Sequence, residues 1–222
     1  MIRLKLTSDG SHTLTTDQFP EETYHSTNGA INESRIVFIE AGLKPLLIKN
    51  PENLNILEIG FGTGLNAFLT LIEIDNRQTT HIKYVGVEAY PISKEIAEQL
   101  NYPDLLNFES NYFLELHKCE TNKTVRINKY FILQKIEADF KTFDVPEKFD
   151  LVYYDAFSPA TQPELWEQSM LQKIYDLMKP KGVLTTYCAK GAFKRTLKAV
   201  GFEIEALPGP SGKREITRAI KI

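Results

Sequence analysis

The chain has 222 residues, 42% hydrophobic and 25% charged, with a net charge of −3. That length suits one α/β domain with a sizeable core, and the composition excludes a disordered or low-complexity chain. No apolar run approaches the ~20 residues of a membrane span, and the net charge excludes a globally basic nucleic-acid binder. In chain order, residues 2 to 6 and 12 to 16 alternate around Ser8-Asp9-Gly10 and predict a β-hairpin without the apolar core of a signal peptide. Residues 17 to 30 read as a loop with an exposed Tyr24-His25. Ile31 to Ile48 carries Ile36, Ile39, Leu43, Leu46 and Leu47 at helical spacing, with Gly42 and Pro45 breaking or kinking the helix. Residues 1–50 are thus expected to form an N-terminal hairpin and helical extension, and 51–222 a single compact domain. The cysteines, Cys119 and Cys188, are far apart and read as reduced thiols of a cytoplasmic protein. His12, His25, His81 and His117 fit no metal or triad pattern and read as surface or packing residues.

After the turn at Asn50–Asn53 comes the informative stretch Leu57-Glu58-Ile59-Gly60-Phe61-Gly62-Thr63-Gly64-Leu65-Asn66. The apolar run from Leu54 to Ile59 is short enough for a buried parallel strand, and Leu65, Phe68, Leu69 and Ile72 share one helical face. The glycines between permit a tight turn and close approach of a ligand to bare backbone. A phosphate loop would need Gly-Lys-Ser/Thr, and Gly64 is followed by Leu65. A dinucleotide fingerprint would place its third glycine one residue later. Glu58 would repel a pyrophosphate but suits a cationic ammonium. E-x-G-x-G-x-G resembles motif I of the class I S-adenosylmethionine-dependent methyltransferases. His81–Glu88 reads as the next strand, and Glu88, 24 residues after Gly64, is placed to accept from both ribose hydroxyls.

Pro91 suits the first turn of a helix over 92–100. Tyr102-Pro103 interrupts, and Leu105 to His117 reads as a second helix. Thr124 to Glu137 alternates like a strand, and Asp139 beyond it is either a turn acid or an acceptor for the adenine amine. Val152–Tyr154 is a core strand ending in Asp155, followed by Ala156-Phe157-Ser158-Pro159. Strand ends at the switch point of such a sheet hold the ligand, which brings Asp155 near the glycines; the alternative is a cap for the helix running from Glu164 to Met178. A turn at 179–182, a strand over 183–187, a basic helix over 191–200, and strands over 202–207 and 214–222 complete the chain. The expectation is an α/β fold with a Rossmann-like, seven-stranded, mostly parallel sheet whose last two strands are an antiparallel pair. Residues 190–222 hold eight Lys/Arg against three acids, and 121–136 hold Lys123, Arg126, Lys129 and Lys135 with no acid until Glu137. Each stretch is either a solvated face or a phosphate-binding patch.

Several stretches together resemble one family. They are Tyr24…Asn28-Gly29…Glu33…Val37-Phe38, LEIGFGTGLN, VGVEAYP, DAFSP…PELW and the terminal Gly201-Phe202…Gly212-Lys213-Arg214-Glu215. Over nearly the whole chain they are similar to the methyltransferase domain of the MnmC-type tRNA wobble-uridine modification enzymes and its stand-alone relatives. The lysine-rich stretch near 118–130 lies outside these motifs. The resemblance implies N-methylation of 5-aminomethyl(-2-thio)uridine in tRNA, with S-adenosyl-L-methionine as cofactor, no metal, no FAD, no membrane and no obligatory protein partner. It implies Glu58, Gly60, Phe61, Gly62, Gly64, Asn66, Glu88, Asp139 and Asp155 as cofactor-binding residues, with Asp155 also catalytic. Tyr24, Phe157, Pro159, Lys213 and Arg214 are then expected to meet the substrate. Two rivals stay open. One is a methyltransferase of a small-molecule or protein amine, recognised by activity without tRNA. The other is a non-methylating Rossmann-type module, recognised by binding a nicotinamide cofactor.

Overall fold

The computed structural model describes residues 1–222 and divides their strands between a three-stranded and an eight-stranded sheet. In the smaller one, β1 (Ile2–Leu6) and β2 (His12–Thr16) pair antiparallel with Leu4 opposite Leu14. A third strand, β3 (Phe19–Thr23), lies where a loop was expected. Pro20 and two glutamates conceal its pattern, and its pairing with β2 shifts register between Thr15 and Thr16, as suits an edge strand.

The following helix does not break. α1 (Ala30–Ser34) continues as a π-helical stretch, Arg35–Leu43, and then as α2 (Lys44–Leu47). Burial of Val37, Phe38, Ile39, Leu43 and Leu47 holds it against the large sheet. Gly42 allows close approach: a Cβ there would lie 3.0 Å from Thr185 Oγ1. Pro45 has no N–H to donate one turn back, and Arg218 Nη1 instead donates to the Ala41 carbonyl at 3.1 Å.

The large sheet begins with β4 (Asn53–Ile59), α3 (Leu65–Arg77) and β5 (His81–Glu88), as the periodicity predicts. Three short helices then replace the two expected: α4 (Lys94–Ala97), α5 (Tyr102–Leu106) and α6 (Ser110–Lys118). Ser93 caps α4, so Pro91 lies outside it, and Tyr102-Pro103 opens a helix rather than interrupting one. The stretch 124–137 is a hairpin, β6 (Thr124–Arg126) with β7 (Phe131–Glu137), which makes eight strands instead of seven. β8 (Phe149–Tyr154), a 3₁₀ turn at Pro163–Trp166, α7 (Gln168–Leu177) and β9 (Met178–Thr186) follow. The turn at 179–182 survives as a register shift inside β9, between Phe149↔Met178 and Leu151↔Val183. Last come α8 (Gly191–Val200), β10 (Phe202–Pro208) and β11 (Glu215–Lys221).

The strand order is β10-β11-β9-β8-β4-β5-β7-β6. β9, β8, β4, β5 and β7 are parallel, while β11 is antiparallel to both β9 and β10. Alternate side chains build the two faces. Ile56, Tyr84, Leu151 and Tyr153 face the N-terminal helix, α3 and α6, while Leu57, Val85, Val152 and Leu184 face α7 and α8. The order reverses between β4 and β8, so the crevice outside the carboxyl ends of these strands is the ligand position of such a sheet.

Candidate active site

A cleft of about 240 Å³ lies there, lined by the ends of β4, β5 and β8 and by residues 22–26 of the N-terminal segment. Its floor is the glycine turn. Gly60 has φ +89°, and a Cβ there would meet the Asp155 carbonyl oxygen at 2.5 Å. At Gly62, φ +49°, a Cβ would close to 3.2 Å of the Tyr24 ring. Bare backbone is therefore required between Tyr24 and Asp155. Phe61 lays its ring over Gly86, whose absent Cβ would lie 2.5 Å from Phe61 Cδ2.

Two histidines pin the same turn. His25 Nε2 lies 2.7 Å from Thr63 Oγ1, and His117 Nε2–H donates to the Thr63 carbonyl at 3.0 Å. Burial pushes each pKa down to about 4, so both rings are neutral at pH 7. The sequence predicts each as a surface or packing residue and His25 as exposed; His25 is buried. The spacing contains no motif for this clamp, because the contacts join segments far apart in the chain.

Glu88 ends β5 at the cleft. Its Oε2 accepts the Gly62 N–H at 2.8 Å and its Oε1 the Tyr90 N–H at 2.9 Å. Burial raises its pKa, and the backbone hydrogen bonds oppose that rise. Each carboxylate oxygen keeps a lone pair for a ligand hydroxyl. Asp139 also lines the cleft, with its carboxylate engaged by Lys141 through the backbone N–H at 2.9 Å and Nζ at 3.2 Å.

Asp155 is half-buried at the end of β8 and does not cap a helix; its Oδ2 accepts from Asn66 Nδ2 at 2.8 Å. The same amide donates to Glu58 Oε1 at 2.8 Å, and the Tyr84 hydroxyl donates to Glu58 Oε2 at 2.8 Å. The expectation that Glu58 itself meets the ligand needs correction. It is fully buried on the Ile56 side of β4, outside the cleft lining, and reaches the cleft through Asn66. Asn66 and Gly64 likewise lie behind the lining: Asn66 as this bridge, Gly64 at φ +73° starting α3 against His117. Burial, then the Glu33 charge, raises the Asp155 pKa above its ordinary value, while the Asn66 hydrogen bond and Lys213 lower it.

The walls are aromatic and charged. Phe157 packs on Tyr24 with ring centroids 5.3 Å apart and on Phe19 at 4.9 Å. Burial and the Glu88 charge push the Tyr24 phenol up to about 12, so it stays neutral. The Asp155–Pro159 loop is fixed by Trp166 Nε1, which donates to the Phe157 carbonyl at 2.8 Å, and by Tyr187, whose hydroxyl donates to the Ala156 carbonyl at 2.9 Å. Glu22 accepts from the hydroxyls of Ser158 and Thr161. Lys213 closes one side: its Nζ donates to Glu33 Oε1 at 2.5 Å and lies 4.1 Å from the Tyr187 ring centre. Pro159 and Arg214, expected at the substrate, fall outside the lining, and Arg214 is exposed. Glu22, Phe19 and Tyr187 escaped the sequence reading; a strand written Phe-Pro-Glu-Glu-Thr carries no periodic signal.

Six carboxylates face two lysines around this cleft (Glu22, Glu33, Glu88, Asp139, Asp155 and Glu164 against Lys141 and Lys213). That excess of negative charge suits a cationic ligand. A cradle that any Cβ would fill, a strand-end acid and an acidic wall fit S-adenosylmethionine, which is cationic at sulfur and carries an ammonium.

This fold and this site define a class I S-adenosylmethionine-dependent methyltransferase. The model of the S-adenosyl-L-methionine-dependent methyltransferase family matches residues 102–222, and the chain belongs to that family. It is similar to two proteins named tRNA 5-methylaminomethyl-2-thiouridine biosynthesis bifunctional protein MnmC. That of Aromatoleum aromaticum is 29% identical over 89% of this chain, and that of Leptospira borgpetersenii is 31% identical over 90%. The chain spans 32% of the length of each. The crystal structure of MNMC2 from Aquifex aeolicus matches with TM-score 0.78 and 25% identity, covering 99% of this chain and 70% of that one. A crystal structure from Listeria monocytogenes, assigned to the class I S-adenosylmethionine-dependent methyltransferases, matches at TM-score 0.54 and 16% identity, over 88% of this chain and 62% of that one, which shows the shared fold alone.

Proposed function

We propose that the chain methylates the primary amine of 5-aminomethyl(-2-thio)uridine at the tRNA wobble position, in the cytoplasm, giving the 5-methylaminomethyl nucleoside. The observation that carries this reading is Asp155: a carboxylate at the strand end, held by Asn66, beside the bare Gly60 backbone and the Phe157 ring. The acceptor is supported by the relatives' named role in 5-methylaminomethyl-2-thiouridine biosynthesis.

When bound, S-adenosylmethionine supplies a methyl group activated by its sulfonium. Gly60, Gly62, Phe61 and Glu88 would hold it, Glu88 as an acceptor for its ribose hydroxyls and Asp139 for its adenine amine. A primary ammonium has no lone pair to attack with, so its proton must leave. Asp155 Oδ1, which has no partner among the cleft side chains, orients the amine and accepts that proton, a role typically worth 10²–10⁴-fold. Burial and the Glu33 charge raise the Asp155 pKa, which makes its ionised form a stronger base. Tyr24 and Phe157 pack on the base once it has left its stack, and Lys213 with Glu33 excludes water from one side. Holding both reactants in line is worth about 7–11 kcal/mol.

Acceptor competition tests the reading. Methyl transfer into tRNA carrying the aminomethyl nucleoside is expected to proceed unchanged in the presence of excess free nucleoside, small amines or lysine peptides. Efficient methylation of a small amine with no transfer to tRNA would contradict it.

A further inference from the structure

The acidic cleft poses a problem for an RNA acceptor, since six carboxylates repel the phosphates on either side of the target base. Cations outside the cleft must hold the backbone. The two basic stretches of the sequence differ in what their charges do. In 121–136, Lys123 pairs with Glu120, Arg126 donates to the Lys129 carbonyl, Lys129 lies over Tyr130, and Lys135 donates to the His117 carbonyl. Those charges serve local structure. In the C-terminal segment, Lys194, Lys213 and Arg218 are paired with Glu215, Glu33 and Glu205, and Lys221 donates to two carbonyls. The remaining four, Lys190, Arg195, Lys198 and Arg214, are exposed and form no ion pair.

Two of the four, Lys190 and Arg214, adjoin cleft residues in the chain, and the other two continue along α8. Lys190 precedes α8, three residues after Tyr187 of the lining. Arg195 and Lys198, three apart, share a helix face away from the buried Phe193, Leu197 and Val200. The ion pair Lys194–Glu215, at 2.6 Å, ties α8 to the start of β11, and Arg214 lies between Glu215 and the cleft residue Lys213. Lys190 to Lys198 spans about 12 Å along the helix, at 1.5 Å per residue. Glu203, the segment's unpaired acid, follows the far end of α8, away from the cleft.

We infer that Lys190, Arg195, Lys198 and Arg214 form the surface that grips the phosphate backbone of the RNA while the target base enters the cleft. This inference rests on the proposed RNA acceptor. Each phosphate contact contributes roughly 0.7–0.9 to the slope of log affinity against log salt.

The test compares binding of tRNA carrying the aminomethyl nucleoside between about 50 and 200 mM KCl, the range over which such contacts show. Three proteins are measured: wild type, Lys190→Gln/Arg195→Gln/Lys198→Gln/Arg214→Gln, and the control Lys118→Gln/Lys123→Gln/Lys129→Gln. The first variant is expected to lose at least tenfold in tRNA affinity and about 2.8–3.6 in salt slope, with S-adenosylmethionine affinity and melting temperature unchanged. The control is expected to bind like wild type. On the wild-type protein, bound tRNA is expected to shield Lys190 and Lys198 from acetylation. An unchanged slope in the first variant, or a larger loss in the control, overturns this surface and leaves the acceptor standing. Wild-type protein without salt-dependent tRNA binding overturns both.

Discussion

Gly60→Ala is the sharpest probe of how the glycine turn serves Asp155. The new Cβ would lie 2.5 Å from the Asp155 carbonyl oxygen, against 3.4 Å for ordinary contact, so the two strand ends must part by about 0.9 Å. The left-handed backbone, φ +89°, adds strain of about 1–2 kcal/mol for a residue with a Cβ. Overpacking adds about 1–3 kcal/mol. The melting temperature should fall by roughly 10 °C, at about 2–4 °C per kcal/mol for a chain of this size. A catalytic group moved by an ångström loses about 10²-fold in rate, so kcat should drop about a hundredfold in the protein that remains folded. Gly10→Ala separates strain from displacement. Gly10 also has positive φ, +82°, but a Cβ there meets nothing within 4 Å. It should lose about 1–2 kcal/mol of stability and no activity. Steady-state methyl transfer and thermal melting on both variants decide the matter. If Gly60→Ala keeps kcat within about threefold of wild type, the turn does not position Asp155.

Three further outcomes are expected. Asp155→Asn should lower kcat by 10²–10⁴-fold with S-adenosylmethionine affinity nearly intact, since the loss is a proton acceptor; calorimetry beside turnover checks it, and full activity would remove the catalytic role. Glu88→Ala should weaken S-adenosylmethionine binding tenfold or more, because each hydrogen bond to a charged group is worth about 1.5–3 kcal/mol; unchanged affinity would refute the ribose assignment. Burial raises the Glu58 pKa well above its ordinary value, so the native state keeps a proton that the unfolded chain has released. Stability from this group is therefore present at acid pH and lost as pH rises from the ordinary glutamate range towards the folded pKa. Melting curves between pH 5 and 8 should fall more steeply for wild type than for Glu58→Gln, which accepts from Asn66 but does not titrate; parallel curves would refute the buried proton.

The central strands, the glycine turn and the antiparallel end of the sheet were legible because period and punctuation agree there: an apolar run, three alternate glycines, then a helical face. Asp155 and Glu88 were legible for the same reason, as acids at the ends of recognisable strands. Elsewhere local signals competed with packing. Pro45 marks a helix end by propensity, yet burial of the Val37–Leu47 face and a carbonyl bond from Arg218 carry the helix through. Pro20 conceals β3, and with it Glu22 and Phe19. Glu58 was legible as an acid beside the glycine turn but not in its placement, because strand alternation turns it away from the cleft and Asn66 reaches back. Lys213 was placed near the substrate by resemblance, while its contact with Glu33, 180 residues away, needed the fold.

The account stands or falls on the acceptor. Purified protein, labelled S-adenosylmethionine and tRNA from cells lacking this methylation should be combined, and the tRNA digested to nucleosides. The account predicts that label appears in 5-methylaminomethyl(-2-thio)uridine as the 5-aminomethyl nucleoside disappears in equal amount. Retained S-adenosylmethionine binding with no label in any tRNA nucleoside would contradict it.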